Sequence, residues 1–155
     1  MSILKFETRT PKTLAQMYQY LMDAEKTDER GLLGWGINPK KAVEEMEFTQ
    51  MIYHKENLYH PYMQIIFSFD QYLSLPLDTV KKVCMEIGDC LIPDERQAFG
   101  VVHFKNTNHI HCHYILNYLS IYGIPYRQIY YIVWYFTKVD EVLRKYGLNE
   151  ILLIA

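Results

Sequence analysis

The chain has 155 residues, half of them apolar by a broad count and 22% charged, which suits a globular chain with one core. Its net charge of -2 lacks the basic excess that nucleic-acid binders often carry, and three irregularly spaced cysteines make no disulfide framework or metal motif. The start "MSILKFETRTPK" lacks a signal-peptide core and "IYYIVWYF" is too short to span a bilayer, so the sequence predicts a cytoplasmic, single-domain protein over residues 1–155.

In chain order, "ILKFETR" alternates and predicts a strand. Residues 11–23 put Leu14, Met17, Tyr18 and Leu21 on one helical stripe. The polar, glycine-rich "AEKTDERGLLGWGIN" reads as a loop, and the amphipathic segment 39–55 opens with a proline suited to a first helical turn. "YMQIIFSF" reads as a strand, and 77–91 as a helix with Val80, Val83, Cys84 and Ile87 inward. "AFGVVHF" and "HIHCHYILNYL" flank the turn-like "KNTN" and form a candidate antiparallel hairpin. Residues 126–149 keep helical spacing through Ile129, Ile132, Val133, Phe136, Val139, Leu143 and Tyr146, with Gly147 as a stop, and "EILLI" is a closing strand. The order predicts an α+β sandwich, an antiparallel sheet flanked by helices.

Four of the six histidines lie between His103 and His113. On a strand, His109, His111 and His113 share one face, while Ile110, Cys112, Tyr114 and Leu116 turn toward a core. His103 reaches the same patch across the hairpin. Neutral imidazoles bind divalent metals, and three of them leave coordination positions open for substrate. The pattern points to a metal or catalytic site.

"HCHYILN" resembles the His-hydrophobic-His metal motif of the HUH endonucleases, specifically the P-class relaxase/mobilisation nuclease family. "YLMDAEKTDERGLLGWGIN" is similar to the relaxase stretch in which a tyrosine precedes Glu-Lys-Thr and Gly-Ile-Asn elements. "IIFSF" and "VLRKYGLNEILL" resemble further stretches of that family in the same order. The resemblance implies an HUH-relaxase-like sandwich, with Tyr20 as nucleophile and His103, His111 and His113 holding Mg2+ or Mn2+. It implies nicking and rejoining of single-stranded or hairpin origin DNA through a 5'-phosphotyrosine, with relaxosome accessory proteins as partners. A phenol is a poor nucleophile until a base or metal activates it.

Lys26, Arg30 and Ser68 are candidate DNA contacts, and Asn106 and Asn117 candidate supports around the site. Asn106 stands where many relatives carry an acidic residue, so His109 becomes the candidate catalytic base or orienting group. Gln64 stands where the family often has a histidine. Two other functions compete: a single-tyrosine HUH transposase using Tyr126, Tyr130, Tyr131 or Tyr135, and a relaxase-like accessory protein that binds DNA without cutting it.

Overall fold

The computed structural model describes residues 2–7, 12–56, 58–70, 74–93 and 95–152. Strands β1 (Ser2–Glu7), β2 (Leu32–Trp35), β3 (Tyr62–Ser68), β4 (Ala98–His103), β5 (His111–Asn117) and β6 (Ile151–Leu152) form one sheet, in the order β2-β4-β5-β3-β1-β6. The pairings are antiparallel except for the short β6, which runs parallel to β1. The helices are α1 (Leu14–Leu21), α2 (Ala42–Ile52), α3 (Leu77–Leu91) and α4 (Ile132–Lys145). Parts of the expected first helix and terminal strands, Pro11, Thr8, Arg9, Leu153 and Ile154, lie outside the described residues.

Alternation along the central strands sorts the helices onto two faces. Phe67, Val102, Cys112, Tyr114 and Leu116 pack with Val80, Val83, Cys84 and Ile87 of α3 and Tyr135, Phe136, Val139 and Leu143 of α4. Tyr62, Phe99, Val101 and Ile115 point the other way, against Leu14, Met17 and Leu21 of α1 and Ala42 and Met46 of α2. Both layers exclude water from large apolar side chains, which is the main driving force for the sandwich. Helix α1 starts where Thr13 and Gln16 form a reciprocal capping box.

Two expectations change. The glycine-rich stretch is not all loop, because Leu32–Trp35 forms β2 and pairs with β4. Its glycine permits close backbone approach: a Cβ on Gly34 would lie 2.8 Å from the Ile37 carbonyl oxygen. The last helix begins at Ile132, not at Tyr126. Before it, Leu119 bridges Pro125, and the Arg96 guanidinium donates to the carbonyls of Asn117, Tyr118 and Ile124. Those tertiary bonds hold the segment away from the helical path, and Ile129 is exposed.

Gly88 in α3 lies under the Trp35 ring, where a Cβ would sit 2.1 Å from a ring carbon. Glycine-to-alanine in a helix interior ordinarily gains about 1 kcal/mol. Gly88→Ala should instead destabilise the protein by roughly 1–3 kcal/mol through overpacking, measured by urea unfolding followed through tryptophan fluorescence. A more stable variant would contradict this packing.

Candidate metal centre and its tyrosine

The β4–β5 register sets His103 opposite His111 and Val101 opposite His113. Among the described residues, the ligand nitrogens of these three histidines all lie within 4.8 Å of one another. Their rings meet edge-on or tilted, with centroids 4.7–5.0 Å apart. His103 is 2% exposed, whereas His111 and His113 are half-buried and open the cluster toward solvent.

The hydrogen bonds behind each ring define which nitrogen faces inward. His103 Nε2 is 2.7 Å from the Leu21 carbonyl oxygen, His111 Nδ1 is 2.8 Å from the His109 carbonyl oxygen, and His113 Nδ1 is 3.4 Å from Gln64 Oε1. Oxygen acceptors require the facing nitrogens to carry the proton. That leaves bare lone pairs on His103 Nδ1, His111 Nε2 and His113 Nε2. The first two are 3.1 Å apart. Two lone pairs at that separation repel unless a cation or a proton lies between them. Three neutral imidazoles, each backed by an oxygen, are a donor set suited to a divalent transition-type cation.

Electrostatics favour the neutral form of His103 and His113. Burial pushes the His113 pKa down to about 2, helped by neighbouring His103 and His111 and the Lys26 ammonium. Burial also lowers that of His103, partly offset by its bond to Leu21. Neutral rings can bind metal without first losing a proton.

The same Leu21 carbonyl that anchors His103 ends α1, one residue after Tyr20. Tyr20 is 52% exposed, and the ammonium groups of Lys12 and Lys26 lie 4.8 and 5.2 Å from its ring centroid. Tyr18, expected in the core, packs on Phe99 at 5.4 Å between centroids.

The segment after Tyr20 is tied to the hairpin. The Lys26 carbonyl accepts from the backbone N–H groups of Phe104 and Lys105, the Thr27 hydroxyl donates to the Val102 carbonyl at 2.7 Å, and Asn106 Nδ2 donates to the Glu25 carbonyl at 2.9 Å. Asn106 has φ +50, a left-handed conformation that asparagine tolerates.

Other candidates fall in different surroundings. His109 precedes β5; its carbonyl orients His111, and its exposed ring lies 3.4 Å from the Phe69 carbonyl. Arg30 is held by Asp28 through two bonds of 2.7 and 3.0 Å, and Lys105 pairs with the same carboxylate. Ser68 pairs opposite His111 on the histidine face. Asn117 lies four residues beyond His113, about 13 Å along the strand. There it is buried, bonded to Gln50, Gln97 and the Met46 carbonyl, so it ties β5 to α2 rather than supporting the histidines. Leu21, Glu7 and Lys12 were not singled out from sequence for a part here. The Leu21 contribution is a backbone atom, and the Glu7 carboxylate beside Gln64 depends on strand register; alternation in β1 gave only its face.

The C-terminal tyrosines are elsewhere. Tyr135 is 4% exposed in the core on the opposite sheet face, and Tyr130 stacks on Trp134 and meets Tyr135 edge-on. Tyr126 lies under Arg96, and burial pushes its pKa up to about 12.

Residues 20–148 match the family described as Relaxase: MobA/VirD2-like, nuclease domain. No curated protein matches the sequence. A solved structure from work titled "Molecular Basis of Vancomycin Resistance Transfer in Staphylococcus aureus" superposes with a TM-score of 0.51 at 14% identity, covering 81% of this chain and 74% of that one. At that identity the likeness concerns the fold.

The buried histidines imply acid sensitivity. An unfolded imidazole titrates near pH 6.5, whereas folded His113 resists protonation down to about 2. Below pH 6.5 the unfolded chain therefore takes up protons that the folded one does not, and stability falls as pH falls. In chelator, the urea midpoint should drop between about pH 7 and pH 5, with a shallower slope for His113→Asn. An unchanged slope would contradict the neutral His113 ring. Asn106→Asp should lower stability by about 1 kcal/mol or more, since it replaces a donor with an acceptor facing the Glu25 carbonyl; an unchanged urea midpoint would remove that bond from the account.

Proposed function

The chain belongs to the MobA/VirD2-like relaxase nuclease domain family, and we propose that it nicks and rejoins one DNA strand at a transfer origin during mobilisation of a plasmid or conjugative element. Tyr20 is the nucleophile, and His103, His111 and His113 hold a divalent cation; of Mg2+ and Mn2+, the two that the resemblance implies, the all-imidazole donor set fits Mn2+ better. The observation that carries this reading is the ring of three inward lone pairs, anchored through the backbone of the helix that bears Tyr20. Among the described residues no helix is long and apolar enough to cross a membrane.

The Tyr20 oxygen attacks a phosphodiester phosphorus, the bond to the 3'-oxygen breaks, and the DNA is left as a 5'-phosphotyrosine and a free 3'-hydroxyl. When bound, the cation supplies charge to a non-bridging phosphate oxygen and orients the phosphate for in-line attack. Lys12 and Lys26, beside the Tyr20 ring, supply fixed positive charge where the phosphate would approach. The hydroxyl proton passes to an imidazole, for which His109 is the exposed candidate outside the three-ligand group, and that imidazole returns it to the departing 3'-oxygen. The 3'-hydroxyl can reverse the step because the phosphotyrosine conserves the ester bond. Single-stranded or hairpin origin DNA is the substrate on this reading, with Ser68 on the site face and Lys26 as contacts. Arg30 contacts phosphate only by releasing Asp28. Accessory proteins of the relaxosome are further partners, and the cytoplasm is the compartment.

The helix that Tyr131 caps and that carries Tyr135 packs on the sheet face opposite the histidines, which argues against a transposase-type C-terminal nucleophile. A non-cutting accessory role is separated by one assay. With single-stranded origin DNA and Mn2+, the protein should form a covalent adduct on a denaturing gel. Tyr20→Phe should abolish the adduct while DNA affinity stays within a few-fold. An adduct from the variant would remove Tyr20 from its role, and binding without an adduct by the unmodified protein would favour the accessory reading.

A further inference from the structure

We infer that Gln64 and Glu7 form a hydrogen-bond relay that fixes the tautomer and orientation of His113, making both of them positioning residues of the cation site. The inference rests on the reading that the histidines hold a cation, and it adds residues from β3 and β1 that the histidine motif does not contain.

An amide can point either its oxygen or its nitrogen at a neighbour, and the choice must come from what surrounds it. Gln64 is 6% exposed, and its Nε2 donates to Glu7 Oε2 at 2.5 Å. An ionised carboxylate only accepts, so the amide nitrogen must face Glu7 and the oxygen must face His113. Oε1 then receives the His113 Nδ1 proton, at 3.4 Å, and the bare Nε2 is left for the cation. Glu7 is itself held by Lys5, 2.9 Å from its other oxygen. Lys5, beside Glu7, and the bond from Gln64 keep the Glu7 carboxyl below its ordinary range against the opposing effect of burial. The register supports the chain of contacts, because Glu7 pairs directly with Gln64 across β1 and β3, and Ile66 pairs with His113 across β3 and β5. Lys5, Glu7, Gln64 and His113 therefore occupy one face of the sheet. His103 and His111 take their orienting oxygens from the backbone, which no side-chain substitution removes. His113 takes its own from a side chain that a second side chain must hold in place.

Glu7→Gln tests this, because an amide at position 7 can accept as well as donate. Gln64 is then free to flip, its NH2 faces His113 Nδ1, and the proton moves to Nε2, where the cation would bind. In the metal-free protein, long-range 15N–1H imidazole spectra should show His113 as the Nδ1–H tautomer, and the Glu7→Gln variant as a mixture or as Nε2–H. Mn2+ affinity by calorimetry should fall on the order of tenfold, the scale seen when a partner behind a metal ligand is lost. The swap Glu7→Gln with Gln64→Glu restores the polarity of the relay at constant net charge. The amide now on β1 would donate to the carboxylate now on β3, and that carboxylate would accept from His113. The swap should recover the tautomer and bring Mn2+ affinity back to within a few-fold of the unmodified protein. An unchanged tautomer in Glu7→Gln overturns the relay, as does a swap variant that stays as weak as the single one. If the unmodified protein shows the Nδ1–H tautomer but binds no Mn2+, the relay stands and the cation reading falls.

Discussion

The arrangement depends most on the bond between His103 Nε2 and the Leu21 carbonyl, 2.7 Å long and buried. It joins the end of β4 to the end of α1, and so connects the histidine cluster to the helix carrying Tyr20. It also sets the His103 tautomer, which turns Nδ1 toward His111. Leu21 is fully buried among Tyr62, Phe99, Val101 and Ile115, so apolar packing of α1 positions that carbonyl. A shift of the helix would move an acceptor, a tautomer and the proposed nucleophile together. Core and site are therefore coupled through one backbone atom.

Charge is arranged locally rather than by net excess. A chain with net charge -2 can still offer a positive approach if its carboxylates are engaged elsewhere. Asp28 is held by Arg30 and Lys105 and Glu7 by Lys5, while Lys12 and Lys26 lie over the Tyr20 ring. Lys26 does two things at once. Its carbonyl is fixed by the hairpin, and its ammonium faces both the tyrosine ring and the buried imidazoles, where a positive charge favours their neutral form.

Much of this was legible in the sequence because local signals agreed with tertiary structure. The alternation from His111 to Asn117 gave a strand with imidazoles on one face and core on the other, and the spacing in 77–91 gave the buried side of α3. Where the sequence misled, a long-range contact had overridden a local signal. Gly34 looked like loop punctuation, yet it lets the chain fold back onto β2. Ile129 kept helical spacing in the segment that starts at Tyr126, but Arg96 captures the carbonyls of the preceding turn and delays α4. His109 fitted the alternation, but the strand begins two residues later and only its carbonyl bears on His111. Asn106 looked like a missing carboxylate and is a backbone clamp on Glu25. The outer bonds from Leu21 and Gln64 were not readable, because helix placement and strand register set them.

The proposed cation site consists of three inward-facing nitrogens of fixed identity. Crystals grown with Mn2+ and measured at the manganese absorption edge test it most directly. One strong anomalous peak is expected, bonded to His103 Nδ1, His111 Nε2 and His113 Nε2, at distances of about 2.0–2.3 Å appropriate to imidazole ligation. A peak elsewhere, a peak on His109 in place of one of the three, or no peak in a Mn2+-saturated crystal would contradict it.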